Sequence, residues 1–142
     1  MKRLLNILVL FLAVTLTGCH DNDIYNEMPQ EIELFTDRYF PDVAVSDFTH
    51  SGDTYHLTLR NGPGITFGPA PDYSWIAVNG YGSTLPAVFM FDQLPPELYV
   101  YLQENQVTDG VYAVERDTVT YRLTLLDNTI TYTIADQHIT ET

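Results

Sequence analysis

The chain says one stretch twice. Thr54-Tyr55-His56-Leu57-Thr58-Leu59 returns as Thr120-Tyr121-Arg122-Leu123-Thr124-Leu125, sixty-six positions later (120 − 54 = 66), with arginine for histidine as the single change. At the same offset Pro29 matches Pro95, Glu31 matches Glu97, Val45 matches Val111, and Phe35 meets the aromatic Tyr101. Such a repeat constrains the fold strongly, because each copy is expected to build the same supersecondary unit. Two copies are too few for a solenoid. In a chain of 142 residues, they predict a duplicated unit inside one compact domain.

Local signals agree with that reading. Pro29 suits a helix start, and Glu31 and Glu33 lie in the first turn, where carboxylates favour the positive end of the helix. Ile32, Phe35 and Tyr39 are spaced as one helical stripe, and Phe40-Pro41-Asp42 stops it. Residues 43–48 read as a strand, and Ser51-Gly52-Asp53 as a tight turn. In the repeated stretch Tyr55, Leu57 and Leu59 alternate with Thr54, His56, Thr58 and Arg60, the period of a sheet with one wet face. Residues 65–67 and 73–78 predict two more strands, and Asn79-Gly80-Tyr81-Gly82 closes the first unit.

The second unit opens with a short helix after Thr84-Leu85-Pro86, carrying Val88-Phe89-Met90-Phe91. A second helix starts at Pro95-Pro96-Glu97 with Leu98, Tyr101 and Leu102 on one face. Strands at 111–115, 119–126 and 129–135 follow, the last two joined through Asp127-Asn128. The predicted class is α+β: two tandem helix-plus-antiparallel-sheet units, residues 28–80 and 81–142, packed together. Packing together is required, because a short helix over a small sheet is marginal below about 70 residues.

The N-terminus reads as an address. Lys2-Arg3 precedes an apolar run over 4–16, which ends at Leu16-Thr17-Gly18-Cys19. That ending resembles a bacterial lipobox, so residues 1–18 are expected to be a lipoprotein signal peptide and Cys19 the acylated first residue. Residues 19–27, with His20-Asp21-Asn22-Asp23, then form an acidic tether. The acidic tract resembles a surface-directing signal in some Gram-negative groups, and the expected location is the bacterial outer membrane, lipid-anchored on its periplasmic or cell-surface face. Cys19 is also the one cysteine. An internal disulfide, a thiolate metal site and a cysteine nucleophile are therefore excluded from the mature domain.

Removal of Lys2 and Arg3 leaves four basic residues, Arg38, Arg60, Arg116 and Arg122, against nineteen acidic ones, a balance of 4 − 19 = −15. Such a surface opposes phosphate backbones, so nucleic acid is excluded as a partner. His20, His50, His56 and His138 lack the helical i, i+4 spacing with glutamate of a zinc hydrolase, and no metal or other cofactor is expected. No Gly-x-Ser-x-Gly elbow or phosphate-cradling glycine loop occurs, so the chain is read as having no enzyme activity.

The helix-opening Met28-Pro29, the Tyr39-Phe40-Pro41 helix end, the Tyr-x-Leu-x-Leu strand, Asn61-Gly62 and the Trp75 strand, followed by a second round, resemble the PepSY-like secreted proteins of bacterial envelopes. The tandem units of that family are similar in fold to beta-lactamase inhibitory protein. Over residues 28–135 the resemblance implies a fold and an envelope location. Tyr and Trp offer rigid contact area with a polar tip. Tyr73, Trp75, Tyr81, Tyr99 and Tyr112 are accordingly the candidate partner-binding set. The functional expectation is a lipid-anchored, non-catalytic envelope binding module, inhibitory toward a protein partner. The alternative is a small-molecule carrier or scavenger with a Tyr/Phe-lined pocket between the units.

Overall fold

The computed structural model describes residues 27–142. The expected signal peptide over 1–18, the expected acylation site Cys19 and the expected tether up to residue 26 lie outside the described residues. Helix α1 (Gln30–Tyr39) leads into four strands: β1 (Val45–Ser51), β2 (Thr54–Leu59), β3 (Gly64–Phe67) and β4 (Trp75–Asn79). Two helices follow, α2 (Ala87–Gln93) and α3 (Pro96–Glu104), then a 3-10 turn at Thr108–Gly110. Strands β5 (Ala113–Arg116), β6 (Thr120–Thr124), β7 (Thr129–Thr133) and β8 (His138–Glu141) complete the chain. All eight strands form one sheet in the order β1 to β8, antiparallel throughout. The class is α+β.

Helices and sheet share one core. Ile32, Tyr39, Phe89, Met90, Leu98 and Leu102 from the helices are buried with Leu57, Ile65, Phe67, Val78, Val114, Leu123 and Ile130 from the strands. The helices therefore cover one sheet face and leave the other to solvent. Pro29 and Pro95 each occupy the N-cap of a helix, α1 and α3, with nearly the same backbone angles (φ −56, ψ 142 and φ −53, ψ 138). A residue without an N–H suits that place, where the helix has no acceptor for one. The two Tyr-Leu stretches become β2 and β6, and in each Leu57 or Leu123 is buried while His56 or Arg122 points to water.

At the middle of the sheet β4 pairs with β5 through Ala77↔Glu115, Val78↔Val114 and Asn79↔Ala113. The chain between them is pinned beside that seam. Gly80 N–H donates to the Tyr112 carbonyl at 2.8 Å, and Leu85 N–H to the Val111 carbonyl at 2.8 Å. A Cβ on Gly80 would lie 1.9 Å from the Ser83 carbonyl oxygen, so only glycine passes there.

Several sequence expectations shift. The predicted strand at 73–78 starts only at Trp75, because Tyr73 turns the chain at φ 44. The hairpin at Asp127-Asn128 is longer than expected: Leu125 N–H bonds the Asn128 carbonyl at 2.9 Å, leaving 125–128 between the strands. Strand β8 was not foreseen. It offers only Ile139 to the apolar face, too little for a pattern, and pairing with β7 holds it instead. Tyr101 of α3 also donates its hydroxyl to the Glu141 carboxylate. That bond, ahead of burial, raises the tyrosine pKa.

A chain of polar contacts staples helices to sheet. The Trp75 indole N–H donates to Gln93 Oε1 at 2.7 Å, and Gln93 Nε2 donates to the Tyr39 hydroxyl at 2.6 Å. Tyr39 donates onward to Asp92 at 3.2 Å, and Arg38 Nε meets the same carboxylate at 2.9 Å. Strand β4, α2 and α1 are thus joined through four helix-borne side chains and one indole.

Candidate functional site

The five aromatic candidates do not converge. Trp75 is a correction: it is 3% exposed and belongs to the core. Its ring lies 5.2 Å from Phe89, and the Arg116 guanidinium sits 4.0 Å over it. The strand's alternation turns Trp75 and Val78 toward the helices, so the indole serves packing and cannot meet a partner. Tyr73 is half-buried, edge-on to Tyr55 at 5.2 Å, with burial raising its pKa. Tyr112 is half-buried beside Val107, Leu125 and Leu126. Only Tyr81 stands well out, 71% exposed.

Rings between helices and sheet fill their space with one another. Phe35 stands edge-on to Tyr39 at 4.8 Å and to Phe67 at 5.2 Å, and Tyr39 to Phe89 at 5.6 Å. The pocket expected between the units is, at these residues, occupied by side chains.

Tyr99, also half-buried, belongs to a different feature. Its ring packs on Phe91 at 5.5 Å, and Phe91, Pro96, Tyr99, Val100 and Gln103 enclose a depression of about 450 Å³ on the helix layer. Phe91 is 66% exposed, Val100 47% and Val88 45%. Phe91 and Val100 escaped the sequence reading although the signal was present. In the apolar run Val88-Phe89-Met90-Phe91, a helix cannot turn four successive side chains to one side. Phe89 and Met90 are buried, and Val88 and Phe91, three apart on the opposite face, are left in water.

The uncovered sheet face is the second feature. One register row crosses all eight strands: Thr49, His56, Thr66, Ala77, Glu115, Arg122, Thr131, Thr140. Ala77 is the small residue at its centre, and two depressions of about 250 and 380 Å³ meet at Ala77 and Glu115. At one end His56, Thr66, Asn79 and Tyr81 line the surface; at the other stand Arg116, Asp117, Thr120 and Arg122. Asp117 accepts the backbone N–H groups of Val119 and Thr120, each at 2.7 Å, which hold its carboxyl below the usual range. Among the described residues no group of three or more His, Cys, Asp and Glu side chains is placed to hold a metal ion.

No family model matches this chain, and no curated protein does. Solved structures share its fold. One, from Bacteroides vulgatus and described as a periplasmic protein of the DUF2874 family, superposes with a TM-score of 0.67 at 23% identity over 81% of this chain and 89% of its own. Another, from Bacteroides thetaiotaomicron and described as a calcium-regulated periplasmic protein, gives 0.65 at 20% identity over 81% and 89%. A third, from Bacteroides vulgatus and described as a periplasmic protein of unknown function, gives 0.67 at 18% identity over 82% and 93%.

Proposed function

We propose that this protein is a non-catalytic binding module of the bacterial envelope, lipid-anchored to the outer membrane through Cys19, that holds a protein partner on its helix layer and inhibits it by covering its surface. The apolar patch around Phe91, Tyr99 and Val100 is the observation that carries the reading. Exposed aromatic and aliphatic groups clustered around a depression are the chemistry of protein contact, where a few anchors seat and exclude water. In a chain with so many carboxylates, an uncharged patch of this kind also limits repulsion from an acidic partner. The lipobox-like Cys19 and the periplasmic descriptions of the structural neighbours support the location. The matched helices and strands at an offset of sixty-six support reading the fold as two fused PepSY-like units, arranged as in beta-lactamase inhibitory protein.

The test is a pull-down from envelope extract using the chain that begins after Cys19. Wild type should retain a specific protein, Phe91→Asp and Val100→Asp should lose it, and Leu34→Asp, on α1 and 60% exposed, should keep it. Retention of the same protein by the Phe91 and Val100 variants would sink the proposal.

A further inference from the structure

We infer that the open face of the sheet is a second, separate binding site, and that its ligand is an oligosaccharide. Nineteen acidic residues crowd the chain, yet Glu115 is the one carboxylate among the outward positions of β2 to β7. The other outward strand positions are Thr54, Thr58, Thr66, Thr120, Thr124, Thr129, Thr131 and Thr133, with His56, Asn79 and Arg122, the small Gly64, Ala77 and Ala113, and the apolar Ile76; Asp117 joins them from the β5–β6 loop. An ordinary wet face in an acidic protein is mixed-charge; on this one threonine hydroxyls are the commonest group.

Hydroxyl groups donate and accept at once, as sugar hydroxyls do, so the two surfaces can pair in either direction. Proteins use threonine little as an anchor, which sets this face apart from the helix patch. The low positive charge excludes phosphate chains as ligands.

Tyr81 supplies what a sugar ring needs besides hydrogen bonds: an aromatic surface for its apolar C–H face. The residue is held in an unusual conformation, φ 47, by the bond from its N–H to Asn79 Oδ1 at 2.8 Å. Its ring rests against Gly64, where a Cβ would stand 2.7 Å from Tyr81 Cε2. The rest of the ring is open to solvent at the mouth of the depression that contains His56 and Thr66. A left-handed tyrosine with a glycine cleared beneath it is a placed platform, and such strain at a surface accompanies binding. From β2 to β6 the row spans four strand spacings, roughly 19 Å, room for several sugar rings laid across the strands. Glu115 and Arg122 face each other in register at the β5–β6 end of that span, able to accept and donate to opposite sides of one ring.

The probes are hexasaccharides of glucose, of N-acetylglucosamine and of mannose, each in millimolar excess over the chain that begins after Cys19, which keeps every described residue. Binding is read by calorimetry and by backbone amide shifts. At least one probe should saturate, with shifts centred on His56, Thr66, Ala77, Tyr81, Glu115 and Arg122. Tyr81→Ala should weaken it about tenfold, the loss expected for one aromatic stacking contact. Thr66→Val, which keeps shape and removes one hydroxyl, should weaken it a few-fold, and Phe91→Asp should leave it unchanged. The idea falls if none of the three sugars saturates, if the shifts lie elsewhere, or if Tyr81→Ala and Thr66→Val both bind as wild type. It falls too if Tyr81→Ala releases the captured protein while no sugar binds, since the face then belongs to that protein. Sugar binding that survives Phe91→Asp while the protein is lost keeps the two sites distinct.

Discussion

Replacing Gln93 by leucine tests whether the polar staple between helices and sheet is structural. Gln93 accepts from the Trp75 indole at 2.7 Å and donates to the Tyr39 hydroxyl at 2.6 Å. Leucine of similar size removes both bonds. Tyr39 keeps Asp92 as an acceptor at 3.2 Å, but the buried indole N–H is left with none. An unpaired buried donor costs about 1–3 kcal/mol. Half-buried leucine recovers part of this by apolar contact, so the net loss should be about 1–2 kcal/mol. Urea unfolding followed by far-ultraviolet circular dichroism should show a lower midpoint with an unchanged slope. The decisive measurement is a cycle with Trp75→Phe, which deletes the donor itself. In that background Gln93→Leu should become nearly neutral, with a coupling of about 1 kcal/mol. If the two substitutions simply add, the indole–glutamine bond contributes nothing to stability and the staple is an accident of proximity.

Phe89→Ala should destabilise the fold by about 3–5 kcal/mol, since the ring is fully buried against Tyr39 and Trp75; Phe91→Ala, two residues on and 66% exposed, should change unfolding midpoints little. Equal effects at the two positions would refute the assignment of faces in α2. Asp117 has a lowered folded pKa because backbone N–H groups hold its ionised form, so its contribution is present above the ordinary value of 3.8 and is lost as pH falls through the folded value. The stability gap between wild type and Asp117→Ala should therefore be open at neutral pH and close as pH drops below that range; a gap that persists in acid would refute it.

Much of the architecture was legible locally. Pro29 and Pro95 mark two helix starts because proline fits a place with no N–H acceptor, and the Tyr-Leu-Leu alternations mark two strands because a half-buried sheet repeats every second residue. The α+β class and the uncovered polar face follow from those patterns. Alternation does not reveal which face receives the helices, and the contact role the sequence suggests for Trp75 gives way to packing beneath α2. Helical spacing likewise could not divide Val88-Phe89-Met90-Phe91, because which pair is buried depends on where the helix lands. Strand β8 carries so little apolar signal that only its neighbour β7 makes it a strand.

What the amino-acid order settled by itself is most of the helices and strands and which side of each is apolar, since backbone geometry and water act on a few residues at a time. Folding decided the rest: that β4 joins β5 in one sheet, that Gly80 must thread beside it, and that Phe91 and Tyr81 emerge on opposite sides of the molecule. Those facts depend on contacts between residues dozens of positions apart, and no local pattern encodes them.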